Sequence, residues 1–106
     1  MALRPKNLAQ VAGLAGTATA LYTVPAGQSI MAKLHVVNRG NATDTVRVSK
    51  RVAGAAEDVS QFRAFDEPLA ARDSRTWSII AEATDVIYVQ SSAGTASWTL
   101  EGLLRS

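Results

Sequence analysis

The residues of this chain that could do chemistry are few, and they do not form a recognised catalytic set. His35 is the single histidine, and none of the 106 residues is cysteine. A histidine acting as a general base needs a nucleophile and an orienting acid beside it. His35 instead lies within a predicted strand, on the side opposite its apolar residues. We therefore predict a subunit contact or a solvated position for His35.

Two adjacent carboxylates, Asp66 and Glu67, resemble the acidic pair that glycosidases use. Neighbouring side chains on an extended segment point to opposite sides, so this pair is poorly placed to flank one glycosidic bond. Glu57, Asp58 and Asp73 add loop carboxylates without the spacing of a calcium loop. A weak calcium site in a loop stays open as an alternative. The prediction is a non-enzymatic protein with no cofactor and no bound metal.

The aromatic residues are the remaining candidates for a binding site. Trp77 and Trp98 share strand faces with Ile79 and Leu100, which predicts core positions rather than a sugar-stacking platform. The basic residues are largely separate from the aromatic ones, and the net charge is only +2. Binding of single-stranded nucleic acid usually combines the two residue types in one groove. We predict no nucleic-acid partner, and a sugar-binding or receptor-binding module is kept as an alternative.

The elements that must position these residues are β-strands. The segment from Leu21 to Asn38 reads as a strand, a Pro-Ala-Gly turn and a second strand. In the second strand apolar residues alternate with Met31, Lys33, His35 and Val37, as in a half-buried strand. The second side is too apolar for a solvated surface. We therefore predict that Met31, His35 and Val37 bind another subunit.

Similar short segments follow along the rest of the chain and are separated by turn residues. The predicted strands cover 17–24, 29–37, 45–52, 61–65, 75–80, 86–91 and 96–104. An acidic loop at 53–60 and a break at 66–68 interrupt the series. Seven to eight short strands without a strong helix predict an all-β protein, an antiparallel β-sandwich or jelly-roll.

The chain is predicted to divide into an N-terminal arm, residues 1–16, and a single β-sandwich domain, residues 17–106. Within the arm Leu8, Val11 and Leu14 recur at every third position, which fits a short helical turn or an irregular apolar strip. Two glycines nearby disfavour a stable helix. We predict that these three residues bind a neighbouring subunit. No segment is long and apolar enough to span a bilayer, and we expect neither a signal peptide nor a membrane partner.

Three stretches carry a family resemblance: LYTVPAGQSIMAKLHVVNRGNATDTVRVSKRVAG, FDEPLAARDSRTWSII and ATDVIYVQSSAGTASWTLEGLL. They resemble small virion proteins of tailed bacteriophages. Those proteins have a Tyr-Thr-Val-Pro-Ala-Gly turn, here Tyr22–Gly27, and a strand ending in asparagine, here Asn38. They continue with a valine-rich strand, here Val46–Val48, and an acidic turn into a V-x-V strand, here Asp85–Val89. The resemblance covers most of the chain from about residue 8.

The resemblance implies a non-enzymatic structural subunit of a virus particle, assembled in the host cytoplasm. It implies other virion proteins as partners, in the capsid or in the tail. We expect a capsid decoration or cement subunit that also associates with itself as a trimer or ring. A tail-associated accessory subunit and a receptor-binding or carbohydrate-binding module are the alternatives. The resemblance supplies no catalytic residues.

Overall fold

Eight β-strands make up most of the domain. The structure is a computed structural model that describes residues 5–12, 15–56 and 58–105. The strands are β1 (Pro5–Ala12), β2 (Thr19–Thr23), β3 (Ser29–Asn38), β4 (Asp44–Arg51), β5 (Phe62–Leu69), β6 (Ser74–Ala81), β7 (Val86–Ser91) and β8 (Ala96–Arg105). Two short 3-10 turns, Val52–Gly54 and Val59–Gln61, connect β4 to β5.

The strands form two four-stranded antiparallel sheets, with orders β1-β8-β3-β6 and β2-β7-β4-β5. Strand pairs lie symmetrically along the chain: first with last, second with seventh, third with sixth and fourth with fifth. The chain therefore follows the path of one long hairpin rolled up on itself, with β3 also paired to β8 and β4 to β7. This is a jelly-roll, and it confirms the predicted fold class.

The core lies between the two sheets and follows the predicted alternation. In β3 the side chains of Ile30, Leu34 and Val36 are buried, whereas Met31 is exposed. Trp98 is the largest fully buried residue and packs among the aliphatic residues that both sheets contribute. Removal of this apolar surface from water is the main force that holds the two sheets together.

One predicted break is wrong. The sequence Asp66-Glu67-Pro68 was expected to end a strand, but β5 continues through it to Leu69. Asp66 takes a left-handed backbone conformation with φ of 50°, and the pairing of β5 with β4 shifts register nearby. A β-bulge of this kind accommodates a residue that would otherwise end the strand. Pro68 is tolerated because β5 is an edge strand.

Part of the predicted arm lies in a sheet. Residues 5–12 form β1, an extended edge strand paired with β8, where the sequence allowed a helical turn. Leu8 and Val11 are half-buried and pack against the core. Their spacing of three is compatible with one side of a strand because the register shifts between Asn7 and Ala9. Leu14 lies outside the described residues.

Candidate interaction surface on the outer face of one sheet

The sheet β1-β8-β3-β6 turns one face to the core and the other to solvent, and we call the solvent side the outer face. Met31 of β3 stands directly between Leu103 of β8 and Ile80 of β6. We call these three residues the apolar row. Met31 is 58% exposed and Ile80 is 64% exposed. Cross-strand neighbours have Cβ atoms about 5 Å apart, so the row is a continuous apolar strip.

Charged residues form the adjacent row of the outer face. Lys33 on β3 lies opposite Glu101 on β8 and opposite Ser78 on β6. Glu101 is engaged by His35, whose Nε2 lies 3.1 Å from Oε1. Lys33 has no ion-pair partner in the part of the chain that the structure describes. An apolar strip therefore borders one paired and one unpaired charge.

His35 is held in place by hydrogen bonds on both sides of its ring. Its Nδ1 lies 3.0 Å from the Thr76 hydroxyl, and its Nε2 contacts the Glu101 carboxylate. These contacts join β6, β3 and β8 across the outer face. The ring is half-buried, and its side-chain contacts among the described residues are the Thr76 hydroxyl and the Glu101 carboxylate. The arrangement positions His35 on the side of β3 opposite the core, as the sequence predicts, and the predicted subunit contact stays a prediction.

Beneath the outer face, strands β3 and β8 approach each other closely. Gly102 of β8 lies opposite Ala32 of β3. An added Cβ at Gly102 would lie 2.5 Å from the Ala32 Cα and even closer to the Met31 carbonyl oxygen. The shallow groove above it has a volume of about 520 Å³, and Met31, Lys33, Ile80 and Leu103 are among the residues that line it. Glycine at this position lets the two central strands of the sheet come together.

The structure brings together half of the residues predicted to bind partners. Met31, His35 and Val37 all lie on the outer face, and Val37 is 39% exposed. Leu8 and Val11 instead pack against the core, as described above. Sequence reasoning missed Ile80 of the apolar row, although a signal was present. Ile79 and Ile80 are consecutive on a strand, so one of them must point away from the core.

A buried polar cluster lies at one end of the sandwich, where loops meet. The Asp44 side chain is 1% exposed and accepts hydrogen bonds from the Ser92 hydroxyl and the Ala93 amide, both at 2.9 Å. It also accepts one from the Ser91 hydroxyl. Burial by itself raises the pKa of Asp44, but these hydrogen bonds together lower its pKa below the usual value. The carboxylate therefore fastens the β7–β8 turn to the start of β4.

Asn38 completes this polar cluster from the end of β3. Its Nδ2 donates to the carbonyl of Ala42 at 2.8 Å and to that of Leu69 at 3.1 Å. Its Oδ1 accepts from the Gly40 amide at 2.9 Å and from the Thr95 hydroxyl at 2.8 Å. One amide side chain thus forms hydrogen bonds with backbone groups from several connecting segments. This is a structural role, since both polar atoms of the Asn38 side chain are hydrogen-bonded within the fold.

The two tryptophans stack on each other at the core of the domain. Trp98 is 1% exposed, Trp77 is half-buried, and their ring centroids are 6.3 Å apart. Core placement is therefore confirmed for Trp98 and holds in part for Trp77. The sugar-stacking platform that the sequence left open does not form from these two indoles, because Trp98 is buried and Trp77 is half-buried and stacked on it.

The separation of basic and aromatic residues seen along the sequence does not hold in space. On the second sheet the Arg47 guanidinium lies 4.1 Å from the Phe65 ring centroid, and that of Arg51 lies 3.6 Å from the Tyr88 centroid. Residues distant in sequence meet because β4 lies between β5 and β7. These cation–π contacts cover aromatic surface within the domain.

The two adjacent carboxylates bind different arginines. Asp66 accepts two hydrogen bonds from Arg47, at 2.7 and 3.2 Å, whereas Glu67 forms an ion pair with Arg75. Hydrogen bonding and charge from Arg47 lower the pKa of Asp66.

Over residues 5–12, 15–56 and 58–105, no group of three or more metal-ligating side chains is close enough to hold a metal ion. In that same part of the chain no helix has the length and apolar character needed to cross a membrane.

The outer face thus has the strongest binding character in the described structure: an exposed apolar row, an unpaired lysine, and a histidine fixed between two neighbours.

Comparison of the sequence with models of known protein families gives no match, and comparisons with curated proteins and with solved structures give none either.

Proposed function

We propose that this protein is a non-enzymatic structural subunit of a tailed-bacteriophage particle, a capsid decoration or cement subunit that binds capsid proteins and further copies of itself. The observation that carries the proposal is the exposed apolar row Leu103, Met31 and Ile80 on an otherwise regular sheet face. The sequence resemblance to small phage virion proteins supports the same reading. The jelly-roll fold is compatible with it, since viral capsid domains use this fold among others.

The outer face is suited to docking on a flat protein surface. Met31 and Ile80 supply apolar area that gains free energy when water is removed from it. Lys33 and Glu101 lie beside this area, where charges fix the register of a partner more than they add affinity. A small interface of this kind binds weakly by itself. Attachment in many copies to a repeating lattice makes such weak contacts effective.

A tail-associated accessory subunit is the alternative within the same class. It would use the same face against a different repeating surface of the particle. The two differ in where the protein sits on the particle and not in how the face binds. Attachment tests on heads and tails that have been separated therefore distinguish them.

Replacing Met31 by lysine is expected to weaken attachment to particles that lack this protein by at least roughly tenfold. The lysine places a charge at the centre of the apolar row, where it would have to be desolvated on binding. The fold should persist because Met31 is 58% exposed. Co-sedimentation of purified protein with such particles measures the change in affinity.

Thr23→Lys is the matched control, because it adds the same charge to an exposed position on the other sheet. It should sediment with particles as the unmodified protein does. Equal attachment of the Met31→Lys protein would show that the outer face does not bind the particle. Failure of the unmodified protein to bind either heads or tails would overturn the proposed function.

A further inference from the structure

Three of the four sheet edges in this jelly-roll carry features that obstruct pairing with another strand. β1 begins with Pro5 and contains a register shift, and the short strand β2 also contains a shift. β5 contains two register shifts and Pro68. Bulges, proline and short length are the usual means by which proteins protect exposed edges from further pairing. These three edges are therefore poor templates for another strand.

The fourth edge, β6, lacks these features. Its eight residues contain no proline, and it pairs with β3 in one unbroken register from Ile30–Ala81 to Val37–Ser74. The outer-face side chains of β6 are neutral: Ser74, Thr76, Ser78 and Ile80. Its one charged residue, Arg75, is already ion-paired with Glu67. The β6 edge is regular and carries no unpaired charge of its own, two properties that favour pairing with another strand.

Alternate residues of β6 turn their backbone groups to the free side. In an antiparallel pair the hydrogen bonds of successive residues point in opposite directions. Lys50 reaches the Ile80 carbonyl oxygen at 3.1 Å, which identifies Ile80 as a residue whose carbonyl faces away from β3. By alternation Thr76 and Ser78 also direct their amide and carbonyl groups outward. They lie in the middle of the edge, beyond the reach of the Lys50 contact.

We infer that two copies of this chain associate edge to edge through β6, in antiparallel orientation, with Thr76 of one copy opposite Ser78 of the other. This register pairs the outward-facing backbone groups of Thr76 and Ser78 and places the two-fold axis beside Trp77. The β1-β8-β3-β6 sheets of the two copies would then form one continuous sheet of eight strands. Main-chain hydrogen bonds supply affinity in strand addition of this kind.

Charge at the two ends of β6 favours a second copy as the partner. Asp73 immediately precedes β6, and Arg63 lines the same groove as Ser78 and Ile80 near its other end. Both side chains are exposed, and neither has an ion-pair partner within the described ranges. Antiparallel pairing brings Asp73 of each copy toward Arg63 of the other. The edge is therefore complementary to itself, as a two-fold contact requires.

The dimer would present two apolar rows to one surface. Strands paired by a two-fold axis perpendicular to the sheet keep their outer faces on the same side. Met31 and Ile80 of both copies would then point in one direction. The dimer rests on the proposed function and names β6 as the strand that mediates self-association, in a two-fold dimer rather than the trimer or ring expected from the sequence. Its own test uses free protein without particles, so its failure is distinguishable from failure of particle attachment.

Sedimentation of the free protein over a dilution series from about 1 μM to 1 mM measures the monomer–dimer equilibrium. We expect a dimer for the unmodified chain. Ser78→Pro removes one edge amide without removing a hydrogen bond to β3, and it should weaken the dimer by at least roughly tenfold. Ser78→Ala is the matched control, because it keeps the amide and should dimerise normally. Hydrogen exchange should show protection of the Thr76 and Ser78 amides that disappears on dilution.

A charge exchange provides an independent test should Ser78→Pro fail to fold. Arg63→Glu should weaken the dimer, since each new glutamate would face Asp73 of the other copy. Combining it with Asp73→Arg should restore dimerisation. A chain that is monomeric throughout the dilution series would overturn the inference. A dimer that leaves the Thr76 and Ser78 amides unprotected, or that tolerates Ser78→Pro in a folded protein, would overturn it equally.

Discussion

Replacing Gly102 by alanine is expected to destabilise the domain by about 3 kcal/mol, at the upper end of what overpacking usually costs. The new methyl group would lie 2.5 Å from the Ala32 Cα and closer still to the Met31 carbonyl oxygen. Both are backbone atoms, so no side-chain rotation relieves the clash. β3 and β8 would have to separate at the centre of their sheet. Urea unfolding followed by tryptophan fluorescence measures the loss.

Ser97→Ala is the control on the same strand and should change stability by no more than about 0.5 kcal/mol. Ala32→Gly added to Gly102→Ala removes the Ala32 Cβ, which would lie 2.9 Å from the new methyl group, but it should not restore stability because the two nearest obstructing atoms belong to the backbone. Full stability of the Gly102→Ala protein would show that β3 and β8 do not approach closely here. Recovery in the double variant would mean that the Ala32 side chain is the obstacle.

Replacing Asp44 by asparagine is expected to cost about 3 kcal/mol at neutral pH, because buried donors lose a charged acceptor. Asp44 accepts from Ser91, Ser92 and the Ala93 amide in a site that water hardly reaches. An asparagine NH₂ would place donors against donors on one side of this cluster. Thermal unfolding at neutral pH measures the difference. Equal stability of the two proteins would show that the cluster does not fasten the β7–β8 turn.

The same carboxylate should make stability depend on pH. Because the folded pKa of Asp44 lies below its unfolded value, the stabilisation is fully present above the ordinary value of 3.8. It is lost as the pH falls through the lowered pKa of the folded state. Asp44→Asn should therefore flatten the acid limb of a stability–pH curve. Asp66→Asn should flatten it less, since solvent screens the exposed pair with Arg47. An unchanged acid limb in Asp44→Asn would contradict this account.

Local patterns in the sequence were sufficient to predict most of the strands. The alternation in β3 and the turn signals around β7 locate both strands, and the predicted range 86–91 matches β7. Propensity failed where tertiary pairing overrides it. The run Asp66-Glu67-Pro68 stays in β5 because a bulge accommodates the left-handed Asp66 and because Pro68 lies on an edge strand. Residues 5–12 become a strand because β8 offers an edge more than eighty residues away.

The candidate surface was predictable only in part because it depends on register. Alternation alone indicates that Met31, His35 and Val37 share one side of β3. It does not indicate that Leu103 and Ile80 stand on either side of Met31. That row arises from pairings between strands far apart in sequence, which only the jelly-roll path determines. The buried Asp44 cluster was missed for the same reason, since its donors lie nearly fifty residues from the acceptor.

A reconstruction of the assembled particle that resolves this subunit would show directly whether the outer face binds the particle. We predict density for the domain on the particle, with the outer face of β8, β3 and β6 turned toward the protein surface beneath it. Met31 and Ile80 should lie within that contact. A particle without this protein, or one on which the outer face points away into solvent, would contradict the account.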